Sequence, residues 1–207
     1  MAKQGTNTKK QILDAAEALL QDRGFNAFSY NDIAGPLGVK NAAVHYHFPT
    51  KADLGLALLE RYRERFRQYT EMLDEGGANP LLKLEAYLTI PWRYLRSGGK
   101  CCPLGVLEAE FNAIPESMRL EVLALDQEMR DWLARALEEG RGQGLLQFED
   151  TAEEKALLIA ATLQGGLQIS RAVGGEGFAA CVRQLKHSLG LTNEPKMSGK
   201  DKDDDSL

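Results

Sequence analysis

Apolar residues recur at steps of three and four along most of this chain, and almost never at every second position. That period places one face of an α-helix against a core. Ile12, Ala16 and Leu19 share the first such face, with Thr8 and Gln11 forming a capping-box pattern before it and Arg23-Gly24 closing it. Ser29 with Asp32 opens a short second helix bearing Ile33 and Leu37, stopped by Gly38. Thr50 with Asp53 opens a long one, whose stripe is Leu54, Leu58, Tyr62, Phe66, Tyr69 and Leu73. Asn79-Pro80 starts the next, with Leu81, Leu84, Leu88, Trp92 and Leu95 in register and Pro91 inside, where it predicts a kink. After Gly98-Gly99 a short element runs from Pro103 to about Phe111, and Met118 to Ala136 carries a further stripe. Thr151 with Glu154 caps the apolar run ALLIAATLQGGLQISRAV, and Phe178, Cys181, Val182, Leu185 and Leu189 mark a last helix. The polar residues after Leu191 have nothing to bury, so a disordered tail is expected over 192–207. No internal repeat and no hairpin signal interrupts the pattern. The expectation is an all-α protein of about nine helices.

The stretch GVKNAAVHYHFPTKADL, residues 38–54, does not fit a plain core or loop. Only Gly38-Val39 separate the second helix from a third, predicted over about 40–47, so the pair forms a tight helix-turn-helix with Val44 inward. Lys40, Asn41, Ala43 and His47 then face outward or sideways, and Ala42 and Ala43 lack bulk, so the backbone can approach another surface closely. In a major groove, lysine reaches guanine acceptors, asparagine an adenine edge, and alanine a thymine methyl. His45, Tyr46 and Lys51 are placed for the DNA backbone. Lys51 opposes the helix dipole at its position, which makes sense if a phosphate is drawn there. Plainer alternatives stand beside these: Tyr46 packing on the first helix, Asn41 solvating the turn, Lys51 as an ordinary surface lysine. His45 and His47 lack a third ligand nearby for a metal.

Residues 8–54 resemble the N-terminal domain of the TetR family of bacterial transcriptional regulators, FSYNDIAGPLGVKNAAVHYHFPTKADL following that helix-turn-helix pattern almost position by position. The resemblance implies a three-helix DNA-binding domain over 1–52, with the motif at about 31–50, and a larger helical ligand-binding and dimerisation domain over 53–191. It puts Lys40, Asn41, Ala42 and Ala43 on the recognition helix, and Tyr30, His45, Tyr46, His47 and Lys51 among the DNA-binding positions. His45 stands where the family usually has tyrosine, and Pro36 removes one backbone donor late in the second helix. The implied partners are a double-stranded DNA operator, a small apolar or electrophilic effector, and a second copy of the chain in a homodimer. The competing reading is an architectural DNA-binding protein without a ligand.

Charge agrees with a DNA-contacting head. The whole chain is −5, yet residues 1–65 carry nine Lys/Arg against seven Asp/Glu while the rest carries sixteen against twenty-three. The N-terminus lacks an apolar run, no stretch approaches eighteen uncharged apolar residues, and three cysteines make no disulfide framework. A cytosolic protein without membrane contact is expected. No nucleophile elbow, zinc-protease motif, phosphate loop or dinucleotide fingerprint is present, so neither enzyme chemistry nor a cofactor is expected.

A second constellation is Cys101-Cys102-Pro103-Leu104-Gly105. It looks like the segment of a TetR subgroup whose cysteine, best matched by Cys102, senses electrophiles or oxidants. A thiol at a helix start beside Lys100 would have its thiolate favoured; the plain alternative is a small buried hydrophobe. The effector pocket is expected around Pro91, lined by Trp92, Cys102, Phe111, Met129, Trp132 and Leu163, with no charged anchor. The dimer interface is expected on the last two helices through Leu167, Phe178, Val182 and Leu185.

Overall fold

The computed structural model describes residues 2–191, with side chains from Asn7 onward; the expected tail at 192–207 lies outside the described residues. Nine α-helices and no strand occur among them. The first three are α1 (Ala2–Arg23), α2 (Tyr30–Leu37) and α3 (Asn41–His47). The long α4 (Lys51–Glu75) follows, then α5 (Pro80–Arg96) and α6 (Pro103–Ala109), and a 3₁₀ turn at Phe111–Ala113. The chain ends with α7 (Glu116–Gly142), α8 (Ala152–Val173) and α9 (Gly175–Ser188).

Local signals set most of these boundaries. The Asp32 carboxylate accepts from the Ser29 backbone N–H at 2.7 Å, and Asp53 repeats the motif on Thr50 at 2.8 Å. Asn79 accepts from the Leu82 N–H at 2.9 Å, and Thr151 pairs with Glu154. Gly38 ends α2 at φ +65°, a conformation that costs other residues about 1–2 kcal/mol. Thr8 is the exception. Helix α1 begins at Ala2, so the Thr8/Gln11 pair lies inside it and does not mark its start. Helix α5 runs unbroken through Pro91.

Two apolar cores fill the molecule. One gathers Ile12, Leu20, Phe25, Ile33, Val44 and Leu58 from α1–α4 and continues into Leu107, Met118 and Val122 of α6 and α7. Here Gly55 lets α4 and α7 meet: a Cβ on it would lie 2.4 Å from Met118 Sδ. The other core gathers Leu84 and Leu88 of α5 with Leu133, Ile159, Phe178 and Leu185 of α7–α9. Cys102 and Met129 pack against both cores, at the seam. Helix α4 crosses residues 52 and 53 without a break, so one rigid rod joins the helix-turn-helix to that seam. Helix α8 has the length and apolar composition of a membrane span; it packs against α7 and α9 along one side and leaves the rest of its surface uncovered in the protomer.

Candidate nucleic-acid interface and cavity

Helix α3 is anchored by Val44, which is fully buried, and turns its opposite side outward. Lys40, Ala42 and His45 are exposed, and Tyr46 is 82% exposed, although a phenol normally seeks partial cover. Among the described residues the Tyr46 ring meets that of His47, edge-on at 5.1 Å, and is not packed on α1. Asn41, Ala43 and His47 are half-buried at the edge of this face. The Asn41 side-chain amide donates to the Asn31 side-chain oxygen, which orients it from α2. His45 Nδ1 lies 3.3 Å from the Pro49 carbonyl, and its ring sits 4.6 Å from that of Tyr30.

Two residues expected at the DNA face are turned inward. Tyr30 is 8% exposed, and its hydroxyl lies 2.7 and 2.6 Å from the carbonyls of Phe48 and Thr50. Burial, with the Asp53 charge behind it, pushes this phenol up to about 12. It is a strut that fixes the turn between α3 and α4. Lys51 donates to the Phe28 carbonyl and sits over the rings of Phe25 and Phe28, 4.9 and 4.6 Å from their centroids. Burial lowers its pKa, against the raising effect of Glu110 and Asp32. In the free protomer its ammonium closes the loop before α2.

The seam between the cores is hollow. One cavity, of about 270 Å³, opens between α1, α4 and α5, with Glu17, Tyr62, Arg65 and Arg93 at its polar side and Leu125 and Met129 opposite. A smaller one, of about 50 Å³, continues toward α8 and ends at Asp126, Leu163 and Gln164. Ile90, Tyr94, Cys102, Leu104 and Met129 line both, so the two form one interrupted slot. Of the residues expected here, Cys102, Met129 and Leu163 are present. Trp92, Phe111 and Trp132 line neither cavity. Trp92 packs edge-on against Phe178 at 4.9 Å, and Phe111 closes the first core. Trp132 is 6% exposed, donates to the Asp74 carboxylate at 3.2 Å and meets the rings of Phe66 and Tyr87.

The thiol chemistry differs from expectation. Burial pushes Cys102 up to about 11, and the N–H groups of Gly105 and Leu104 offset this only in part. A helix start does not secure a thiolate when water is excluded. Cys101, the more buried of the pair, has Sγ 3.3 Å from Gln168 Oε1 and 3.5 Å from Arg171 Nη1. Arg171 also donates to the Asp22 carbonyl at 2.9 Å, tying α8 to the end of α1.

Sequence reasoning missed the charged residues of the slot. Glu17 and Arg65 are 2.6 Å apart, and Arg61 Nη1 lies 3.4 Å from the same carboxylate. Arg61 also pairs with Asp14, so a chain of ion pairs clamps α1 to α4. Burial, and then the nearby Glu17 carboxylate, push the Tyr62 phenol well above its usual range, yet its hydroxyl makes no hydrogen bond of normal geometry. The partners are too far apart in the chain for any local signal to pair them. The dimer expectation shifts too. Leu167, Phe178 and Leu185 are at most 4% exposed inside one protomer, and Val182 is half-buried. The large apolar residues that α8 leaves outside are Leu157, Leu158, Ile169 and Val173, at 53%, 49%, 58% and 65% exposure.

Comparison with known proteins agrees with this geometry. The model of bacterial regulatory proteins of the tetR family matches residues 12–58, and that of tetracyclin repressor-like C-terminal domains matches 80–185. The HTH-type transcriptional repressor NemR of Escherichia coli K12 is 26% identical over 196 residues, spanning 88% of this chain and 94% of NemR. Among solved structures, a TetR-family transcriptional regulator from Agrobacterium tumefaciens superposes with a TM-score of 0.84 at 32% identity, over 89% of this chain and 98% of that one. A TetR regulator from Legionella pneumophila gives 0.78 at 26% identity, over 88% and 97%.

Proposed function

Since the chain belongs to the tetR family of bacterial regulatory proteins, DNA-binding transcription factors rather than enzymes, we propose that it is a homodimeric repressor released from its operator by a small effector. The observation that carries this reading is the exposed face of α3. Lys40, Ala42 and Tyr46 stand clear of the protomer, on a helix whose only fully buried side chain is Val44. Asn41, oriented by Asn31, reads base edges, while Tyr46, His45 and Lys40 hold the sugar-phosphate backbone.

Dimerisation follows from α8. Leu158, Ala161, Gly165, Ile169 and Ala172 recur along one side of it, exposed or half-buried and with no charge among them. A second copy covers this face, which sets two α3 helices on one side of a pseudo-palindromic operator. Release works through α4. Its first turn abuts the recognition helix, and Tyr62 and Arg65, about 16–21 Å further along the rod, wall the slot. An effector that binds one position of α4 better than another shifts the dimer toward recognition helices that no longer match the operator. Cys102, half-buried and with its thiol pKa raised, supports reversible effector binding over thiol modification.

Selection of bound duplexes from a random library tests the reading. The expected product is an inverted repeat with half-sites about one helical turn apart, or a multiple of that. Enrichment of no sequence, or of a single asymmetric element bound by a monomer, would refute it.

A further inference from the structure

We propose that the slot takes an amphiphilic organic anion, whose acid group displaces Glu17 from Arg65 and so loosens the ion-pair clamp between α1 and α4. This rests on the reading of the slot as the effector site, and it names the chemistry the site selects. The polar side of the larger cavity holds two guanidinium groups, Arg65 on α4 and Arg93 on α5, against the single carboxylate of Glu17. That carboxylate is already shared, at 2.6 Å with Arg65 and 3.4 Å with Arg61. Arg93 has no carboxylate partner among the described residues and instead lies over the Tyr69 ring, 5.9 Å from its centroid. Tyr62 adds a buried hydroxyl beside Glu17 that makes no hydrogen bond of normal geometry among the described residues. Cationic and phenolic donors therefore outnumber acceptors at this end, which is the pattern that holds a carboxylate or related anion.

The rest of the slot fixes orientation. Leu104, Leu125 and Met129 face the donors with apolar surface, which suits an aromatic or aliphatic body. The far end carries Asp126, already paired with Arg130 at 2.6 Å, and no cationic side chain among the described residues lines it, so an acid head is drawn to the α1–α4 end. A cationic ligand meets the opposite difficulty at the guanidinium groups. A neutral apolar one leaves Tyr62 and Arg93 without an acceptor.

The exchange has a mechanical result. Glu17 belongs to the first helix of the helix-turn-helix unit, and its ion pairs with Arg65 and Arg61 hold that helix against the rod lining the slot. An anion that occupies Arg65 leaves Glu17 the longer ion pair to Arg61. The ligand thus competes directly with a contact that positions the DNA-binding unit, so binding and release share one side chain.

The test uses the full-length protein and matched probes: naphthalene-1-acetate, 3-phenylpropanoate and trans-cinnamate, each with its uncharged amide, followed by calorimetry. At least one acid should bind, with its amide at least tenfold weaker. Arg65→Gln should bring acid and amide to the same affinity. Glu17→Gln should move the opposite way, tightening the acid severalfold because its internal competitor is gone, and should weaken operator binding without any ligand. Unchanged thermal melting of both variants checks that they fold. Equal affinity of acid and amide, no binding of any acid at millimolar concentration, or weaker acid binding by Glu17→Gln would overturn the proposal. Because the calorimetry needs no DNA, failure to bind any operator would sink the repressor reading and leave this one standing on its own data.

Discussion

Lys51 separates two accounts of the same residue. Its position after Phe48-Pro49-Thr50 suggests a phosphate contact, whereas its ammonium is bonded to the Phe28 carbonyl and covered by two aromatic rings. Lys51→Met keeps the apolar stem and removes only the charged head. A hydrogen bond to a charged group contributes about 1.5–3 kcal/mol, and each part-exposed cation–π contact about 0.5–1 kcal/mol. Desolvation of the ammonium, which already lowers its pKa, offsets part of that sum. A net loss of about 1–2 kcal/mol remains, or about 2–8 °C in melting temperature for a protein of this size. The DNA arm of the test is the slope of log K against log salt. Each phosphate contact contributes about −0.9 on B-form DNA, so two protomers using Lys51 would lose about 1.8 from the slope on substitution. The structure predicts lower stability and an unchanged slope. A slope flattened by about 1.8 with unaltered melting would refute the inward lysine.

Three further outcomes follow from side chains placed as they are. Tyr30→Phe removes a hydroxyl shared by two carbonyls and should lower stability in urea by about 1–2 kcal/mol; altered base preference at the operator would contradict its role as a strut. Cys102, held near 11, exposes only about a thousandth of its thiolate at pH 8, so alkylation should rise about tenfold per pH unit to beyond pH 10. The folded state keeps that proton longer than the unfolded one, so stability should fall between about pH 9 and pH 11; a labelling rate that levels off below pH 9 would contradict the burial. Ile169→Glu should split the dimer in sedimentation at a retained fold, while Leu185→Glu, a charge placed in the core, should lower the melting temperature sharply; the reverse pattern would place the interface on α9.

What the sequence made legible was local. Ser29 with Asp32, Thr50 with Asp53, Thr151 with Glu154 and Gly38 act within one helical turn, so spacing alone locates them. The face of α3 was legible for the same reason, because Val44 inward turns Ala42 and Tyr46, each two residues away, outward. Thr8 has the right spacing but the helix continues upstream of it, and a capping pattern inside a helix looks the same in sequence. Lys51 and Tyr30 reach carbonyls 23 and 18–20 residues away, and the Glu17–Arg65 clamp spans 48, distances over which periodicity carries no information. Trp92, Phe111 and Trp132 were legible as buried, but a core residue and a cavity wall have the same composition. The stripe of Leu167, Phe178 and Leu185 likewise shows burial without showing that the partner is α8 or α9 of the same chain.

Ala42 gives the most direct test of the claim that α3 enters DNA. It is exposed, sits on the face of α3 turned away from Val44 and has no side chain beyond Cβ, so a substitution there disturbs no internal contact. Fluorescence anisotropy on the selected inverted repeat, with wild type and Ala42→Glu side by side, measures the cost of placing a carboxylate against the groove. The account predicts affinity lower by about 100-fold, or about 2.7 kcal/mol, with melting temperature and dimer unchanged. Equal affinity of the two proteins would mean that another surface binds the operator, and the account would be wrong.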